Sequence, residues 1–155
     1  MDEAFEQRLV EDMAARGIRG DHLVFGQSCH SVAEAAEVAG AQPTDFVKSI
    51  CLVGADGGLI VAVVKGEDRA SGSRAAKLVG VPSARPATPD EMLSLTGYPC
   101  GGTPPFGYVA RFLVDERVLE TPVVYGGGGS ERSLVRLASA ELVRANGGHV
   151  GRVRR

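Results

Sequence analysis

The chain of 155 residues contains no tryptophan, and aromatic residues make up only 5% of it. Its core must therefore consist mainly of valine, leucine, isoleucine and alanine. No apolar run approaches the roughly 18 residues that a membrane-spanning helix needs. The first residues, from Met1 to Glu6, are acidic and mixed, unlike a signal peptide. We expect a cytoplasmic protein without a membrane partner, folded as a single domain over residues 1–155.

Cysteine is scarce, and its spacing excludes two common kinds of site. The three cysteines, at positions 29, 51 and 100, include no C-x-x-C pair, and an odd number argues against a disulfide framework. Cys51 lies in an apolar run, which is typical of a small buried hydrophobe. No paired carboxylates or cluster of metal-ligating residues stands out. We expect no metal and no cofactor.

The chain also lacks a strong charge of either sign. A net charge of −2 excludes a broadly basic nucleic-acid binder, although it is compatible with a local basic patch. The last five residues contain Arg152, Arg154 and Arg155, which could contact phosphate. The favoured interpretation is a solvated chain end, because termini are usually held loosely.

Glycine is abundant, yet the common nucleotide-binding motifs are missing. A P-loop requires a Gly-Lys dipeptide, and none occurs. The run from Gly126 to Gly129 follows a predicted strand, but Glu131 occupies the place of the third glycine in a dinucleotide-binding motif. The run still offers backbone N–H groups that could hold an anion or an oxyanion. A flexible hairpin turn is the alternative.

Hydrophobic periodicity and capping residues predict a mixture of helices and strands. Ser31, Thr88 and Ser139 are the predicted N-caps, the first two with a glutamate three residues later. Helices are predicted over residues 3–16, 32–39, 71–79, 89–96 and 140–145. Strands are predicted over residues 22–25, 47–53, 59–64, 111–114, 122–125, 133–137 and 150–153.

Two of the predicted strands are separated by a short turn, so residues 47–53 and 59–64 are expected to form a hairpin. The second strand is apolar without alternation, which predicts that both of its faces are covered. The order of elements predicts an α/β domain around one mixed sheet, closer to an α+β arrangement than to a doubly wound fold.

The segment from Gly97 to Gly107 has the most unusual composition, with four glycines and three prolines. Neither a helix nor a strand tolerates that mixture. Because the segment lies between a predicted helix and a predicted strand, it is interpreted as a shaped loop that brings bare backbone close to a ligand. We expect it to form one wall of an active site.

Lys48 interrupts the apolar stretch of residues 46–53. Burying a lysine is costly unless it is paired or lies at the mouth of a cavity. From the pattern alone, simple alternation that places Lys48 in solvent is favoured. A cysteine nucleophile is a further hypothesis, with Cys100 in the loop and His22, His30 or His149 as the base. Nothing in the spacing requires such a pair.

Several segments, taken together and in order, resemble one known family. They are residues 30–36, residues 47–50, the loop of residues 97–107, the Val114-Asp115 pair and the glycine run 126–129. This combination resembles the YbaK/prolyl-tRNA synthetase-associated domain family, whose members are free-standing relatives of the editing domain in bacterial prolyl-tRNA synthetase. The resemblance covers residues 20 to 145.

The resemblance implies a trans-acting aminoacyl-tRNA deacylase, an ester hydrolase that acts in translation quality control. Its substrate would be the 3′ aminoacyl end of a mischarged tRNA, such as tRNA-Pro carrying alanine, cysteine, serine or threonine. An aminoacyl-tRNA synthetase would be a further partner. The implied fold is a compact mixed β-sheet, partly closed like a barrel, with surrounding helices.

The resemblance also implies the site. Lys48 would contact phosphate, and the backbone from Gly101 to Pro105 would lie against the aminoacyl carbonyl, so that Lys48, Gly101 and Pro105 form the catalytic set. Ser31 stands where the family usually has threonine, and Pro104 stands where some members have serine. The implied substrate-binding residues are His30, Ser31, Ser49, Gly102, Thr103, Pro104, Phe106, Gly107, Asp115, Gly127 and Gly128.

This chemistry needs no nucleophilic side chain, because an aminoacyl ester is already activated and one oxyanion donor contributes about 2.7–4 kcal/mol. Two alternatives remain. One is a non-catalytic module that binds an aminoacyl-nucleotide or a synthetase through the same pocket. The other is a cysteine hydrolase that uses Cys100.

Overall fold

The computed structural model describes residues 1–155 as five α-helices and eight strands, with two short 3₁₀ helices over Pro43–Asp45 and Glu116–Glu120. The helices are α1 (Asp2–Ala15), α2 (Val32–Ala39), α3 (Gly72–Val79), α4 (Pro89–Thr96) and α5 (Ser139–Asn146). The strands are β1 (Asp21–Val24), β2 (Val47–Gly54), β3 (Leu59–Lys65), β4 (Ala84–Pro86), β5 (Arg111–Asp115), β6 (Val123–Gly127), β7 (Ser133–Ala138) and β8 (His149–Gly151).

The strands form two sheets rather than the one expected. A five-stranded mixed sheet has the order β4-β2-β3-β5-β8, and a three-stranded antiparallel sheet has the order β1-β7-β6. They meet at a parallel bridge between Phe46 and Tyr125, whose rings stack with centroids 5.0 Å apart. The sheets do not close into a barrel, but the predicted mixed α/β fold is confirmed.

The predicted hairpin is confirmed, since β2 and β3 pair antiparallel from Val47 opposite Lys65 to Val53 opposite Leu59. Strand β3 then pairs parallel with β5, and β5 pairs parallel with β8. Every residue of β3 is buried, as its continuous apolar sequence predicts.

The two faces of the five-stranded sheet contribute to separate apolar clusters. On one face, Val61 and Val63 pack with residues of α1, α5 and the loop, including Phe106. On the other face, Ala62 and Val64 pack against Ala75 of α3. A third, smaller cluster lies beneath α2. Helix α2 and the loop are therefore held by different parts of the core. No helix is both long and apolar enough to cross a lipid bilayer.

The predicted helix caps agree with the structure except at α5. Thr88 forms the full reciprocal cap with Glu91, and Ser31 accepts a hydrogen bond from the Glu34 N–H. The prediction for Ser139 is wrong, because α5 begins at Ser139 itself and Ala138 is the N-cap. The N–H of Ser139 donates to the Pro122 C=O over 2.9 Å, so the backbone of this serine is bonded to the residue directly before β6.

The C-terminal segment is anchored rather than loose. Strand β8 begins at His149 and ends at Gly151, two residues short of the predicted Val153, and Val153 is completely buried. The Arg155 N–H donates to the Arg69 C=O over 2.8 Å. The interpretation as a solvated chain end is therefore wrong, because backbone pairing and a buried valine hold this segment.

Candidate active site

A cavity of about 290 Å³ lies between the start of α2, the edge of β2, the loop of residues 97–107 and the glycine run. Seventeen residues line it. The fold thus brings together four segments that are separate in sequence, as the interpretation of the loop as an active-site wall requires. Seven of the predicted site residues line the cavity, namely His30, Ser31, Lys48, Ser49, Gly101, Thr103 and Gly127.

One wall of the cavity is an open edge of β2. Strand β4 pairs with β2 only from Leu52 onward, so the preceding residues of β2 pair with β3 alone within this sheet. The Cys51 C=O accepts a hydrogen bond from Ala87, which lies on the side away from β3. Because backbone directions alternate along an antiparallel strand, the N–H and C=O of Ser49 also point away from β3, toward the cavity.

Lys48 lies half-buried on this edge and lines the cavity. The solvent position favoured by simple alternation is therefore wrong, because α2 and the end of the loop approach the same edge. Lys48 takes part in none of the ion pairs of the chain. A cation that lacks an internal partner inside a concave site can bind an anionic group of a ligand.

The opposite wall is formed by the loop and the glycine run, which pack backbone against backbone. The Gly129 N–H donates to the Gly102 C=O over 2.8 Å. A methyl group at Gly127 would meet the carbonyl of Thr103, with its carbon only 2.9 Å away. Gly126 and Gly127 continue strand β6, so the flexible-turn alternative does not hold for them.

Gly101 and His30 are neighbours at the mouth of the cavity. Gly101 has a φ of +88°, and a side chain there would collide with the His30 ring. The Nδ1 atom of His30 lies 3.6 Å from an Oε1 oxygen of Glu131, and these side chains are 54% and 58% exposed. A contact between side chains this exposed contributes little stability.

The rest of the predicted loop residues lie behind the cavity. The Tyr108 hydroxyl donates to the Pro104 C=O over 2.7 Å, and the Asn146 side chain donates to the Pro105 C=O over 3.1 Å. Phe106 is completely buried in the core. Gly102 contacts the glycine run, Gly107 contacts α1, and Gly128 pairs with Ser133. Pro105 and these neighbours do not line the cavity but buttress its wall, so their direct contact with a ligand stays a prediction.

Asp115, predicted to contact the substrate, is not among the residues that line the cavity. Asp115 is completely buried away from the cavity, and its carboxylate accepts hydrogen bonds from the N–H groups of Val153 and Arg154 at 2.9 and 3.0 Å. The Arg154 guanidinium lies 3.0 Å from it. Burial opposes ionisation, but these hydrogen bonds outweigh it and hold the pKa of Asp115 below its usual value. Its role is to anchor the C-terminal segment.

The sequence motifs do not include most of the apolar residues that line the cavity. These residues look like ordinary core positions in the sequence, and only their closeness to the loop in three dimensions marks them as a site. They give the cavity an apolar interior beneath a polar mouth. The lining residues that the sequence did not single out are Cys29, Val32, Ala35, Phe46, Val47, Ile50, Met92 and Leu134.

The cysteines do not form a nucleophile–base pair. Burial raises the pKa of the Cys51 thiol to about 11 and also raises the pKa of Cys29. Cys100 is exposed and lines the cavity, but it makes no hydrogen bond to a histidine. Nowhere in the chain do three or more histidine, cysteine or acidic side chains come together as a metal ion requires.

A mixed α/β fold with a small cavity between a glycine-rich loop and a lysine-bearing strand edge is the arrangement expected of an editing domain. The chain belongs to the aminoacyl-tRNA editing domain family, whose sequence model matches residues 27–145. The resemblance inferred from the sequence is thereby confirmed.

Individual relatives agree with this assignment. The uncharacterized protein YwhH of Bacillus subtilis (strain 168) is 28% identical over 124 residues, which cover 79% of this chain and 78% of YwhH. The proline–tRNA ligase of Trichlorobacter lovleyi is 29% identical over 102 residues, which cover 65% of this chain but only 18% of the ligase. The crystal structure of a proposed trans-editing enzyme for prolyl-tRNA synthetase superposes with a TM-score of 0.88 at 33% identity, covering 97% of this chain and 96% of that protein.

Proposed function

We propose that the protein is a trans-acting deacylase that hydrolyses the ester between a tRNA and a wrongly attached amino acid. The observation that carries the proposal is the position of Lys48, whose unpaired ammonium group shares one cavity with the backbone of Gly101. An aminoacylated 3′ end presents a phosphate and an ester close together. A cation and a bare backbone wall match those two groups.

The cavity favours a small amino acid. Its volume of about 290 Å³ is just below the usual range for ligand sites, roughly 300–1,000 Å³. Its interior is apolar, with Val32, Ala35 and Ile50 among the lining residues. Alanyl, cysteinyl, seryl and threonyl esters are of suitable size. The relation to prolyl-tRNA synthetase supports tRNA-Pro as the carrier and that synthetase as a partner.

The chain's backbone would supply the catalytic groups. Water attacks the ester carbonyl, the C–O bond to the ribose breaks, and the products are a free amino acid and a ribose hydroxyl. The Ser49 N–H, on the open edge of β2, would donate to the developing oxyanion. One such donor contributes about 2.7–4 kcal/mol, which suffices to accelerate hydrolysis of an activated ester by about 100-fold or more.

A panel of mischarged tRNAs tests the proposal. Wild-type protein should release at least one small amino acid, and Lys48→Ala should lower kcat/KM by about 100-fold because the phosphate loses its partner. Arg19→Ala serves as a control, since the Arg19 side chain is 88% exposed and lies outside the cavity.

Failure to release any amino acid at micromolar enzyme would overturn the proposal, as would full activity of Lys48→Ala. A non-catalytic module that binds an aminoacyl-nucleotide or a synthetase would use the same cavity. It predicts saturable binding of the charged 3′ end without release, so binding and turnover are measured on the same samples.

A further inference from the structure

The basic residues divide into a paired majority and a localised unpaired group. Of the 17 lysines and arginines, ten form ion pairs with carboxylates. Arg8 instead lies over the Tyr98 ring and donates to the Gly97 C=O. Lys48 lies in the cavity. The other unpaired basic residues form what we call the α3 basic surface, which comprises Arg69, Arg74, Lys77, Arg152 and Arg155.

Backbone contacts place these residues in one region. The Arg155 N–H donates to the Arg69 C=O over 2.8 Å, and an Arg152 guanidinium nitrogen donates to the Arg155 C=O over 3.2 Å. Helix α3 begins three residues after Arg69. Within it, Arg74 and Lys77 are exposed one turn apart on the face opposite the buried Ala75 and Ala76.

The α3 basic surface lies on the same side of the sheet as Lys48. Lys48 pairs with Val64, and side chains directly opposite each other in an antiparallel pair share a face. Val64 packs in the cluster beneath α3, and Ile50 both packs on that cluster and lines the cavity. The face that carries α3 therefore continues to the wall of the cavity.

The segment after β3 also connects the α3 basic surface to the cavity. The Gly66 N–H donates to the C=O of Phe46, a residue that lines the cavity. A methyl group at Gly66 would lie 2.9 Å from the side chain of Val32, another lining residue. Arg69 follows three residues later, so the basic surface begins beside the cavity.

The carboxylates near the α3 basic surface already form ion pairs with Arg117 or Arg154. Asp68 pairs with Arg117 over contacts of 2.6 and 2.7 Å, and Glu67 lies 3.7 Å from the same guanidinium. Asp115 and Glu116 pair with Arg154. Apart from the five residues of the surface, the chain has twelve basic residues and 19 acidic ones. The α3 basic surface thus contrasts in sign with most of the molecule, and such asymmetry orients a polyanion during encounter.

We propose that the α3 basic surface binds the phosphate backbone of the acceptor stem while the 3′ end of the same tRNA occupies the cavity. This inference rests on the proposed function. Arginine and lysine contacts to phosphates supply affinity without reading sequence, which suits a helical stem whose bases are paired. The stem would be recognised by its charge and shape, and the amino acid by the cavity.

The test compares two double variants that remove the same charge. Arg74→Gln/Lys77→Gln removes two exposed cations that have no carboxylate partner. Arg16→Gln/Arg19→Gln removes two exposed cations at and after the end of α1 and is the matched control. Each is assayed on full-length aminoacyl-tRNA and on an aminoacylated trinucleotide, which presents the same 3′ end but has no helical stem.

On full-length tRNA the α3 variant should lose about tenfold in kcat/KM at low salt. The magnitude of the slope of log kcat/KM against log salt concentration should decrease by about 1.4–1.8, because each of the two phosphate contacts contributes about 0.7–0.9. On the trinucleotide, the α3 variant should match wild type. The control variant should match wild type on both substrates.

Equal kinetics of the two double variants on full-length tRNA would overturn the inference, and so would an equal loss on tRNA and trinucleotide. Binding of uncharged tRNA, followed by fluorescence anisotropy, separates this inference from the proposed function. Should no ester be hydrolysed, weaker and less salt-dependent tRNA binding by the α3 variant still supports the surface, whereas unchanged binding overturns it.

Discussion

The backbone N–H of Gly129 donates to the C=O of Gly102 over 2.8 Å, and this bond joins the two glycine-rich segments of the chain into one wall. The contact is possible because neither residue has a side chain to separate the backbones. A methyl group at Gly102 would lie 2.7 Å from the Ser130 nitrogen. The glycines of the run thus serve close packing, which fixes the position of the loop.

Gly127→Ala should displace this wall and abolish most of the activity. The added methyl group would meet the Thr103 carbonyl, which belongs to the backbone and cannot rotate away. Misplacement of catalytic groups by about 1 Å can lower the rate about 100-fold, so we expect a loss of that size in kcat/KM. Deacylation kinetics, accompanied by a thermal unfolding curve, measure the effect.

The control for that substitution is Gly26→Ala, because a methyl group at Gly26 would meet nothing within 4 Å. It should retain wild-type activity. Wild-type activity in Gly127→Ala as well would show that the loop does not need its present position.

Cys100→Ser should keep full activity although Cys100 lines the cavity. Its thiol has no histidine partner, and the proposed hydrolysis uses water rather than a thiolate. Iodoacetamide should nevertheless inactivate the wild-type protein, because an alkylated Cys100 obstructs the cavity, and Cys100→Ser should resist it. The buried Cys51, with its pKa of about 11, should not react.

Residual activity after each treatment is the measurement. Loss of activity in Cys100→Ser by a factor of 100 or more would favour the cysteine-hydrolase alternative. Inactivation of Cys100→Ser by iodoacetamide would show that another residue is modified.

Asp115→Asn should lower the free energy of unfolding at pH 7 by about 2–3 kcal/mol, since the hydrogen bonds that it accepts are charge-assisted. Its pKa is lower in the folded state than in the unfolded chain. The ionised carboxylate therefore stabilises the fold above about pH 4, and that contribution is lost as the pH falls through the lowered folded pKa. Denaturant unfolding at several pH values measures both effects.

Asp90→Asn is the control, because Asp90 is exposed and forms no ion pair. Below pH 4, wild-type stability should approach that of Asp115→Asn. A constant difference between the two proteins from pH 7 down to pH 2 would contradict the assignment of the effect to ionisation.

Features set by neighbouring residues could be predicted from the sequence, and features set by distant ones could not. The cap at Thr88 involves Glu91 three residues later, so the pattern suffices. Serine is an equally suitable capping residue at position 139. However, the Ser139 N–H donates a hydrogen bond to the C=O of Pro122, which lies far from it in sequence. The two-sheet arrangement was missed for a related reason, since β7 pairs with β1 as well as with β6.

The same distinction between local and distant determinants holds for the residues of the candidate site. The loop of residues 97–107 is recognisable because its composition fits no regular structure. Lys48 is ambiguous in sequence, since its exposure depends on where β4 stops pairing with β2. Asp115 was assigned to the substrate because it belongs to a motif, whereas its environment gives it a structural role. Val32 and Met92 cannot be told from core residues until the cavity is seen.

The pairing of β1 with β7, in which Asp21 lies opposite Arg136, has a consequence for how the protein is made. During synthesis, β1 and α2 leave the ribosome long before their partner strand exists, so α2 has no completed support until residue 138 has emerged. Such distant pairings slow folding toward milliseconds or seconds. The nascent chain should therefore have no complete cavity until β7 has left the ribosome, because Leu134 of β7 lines it.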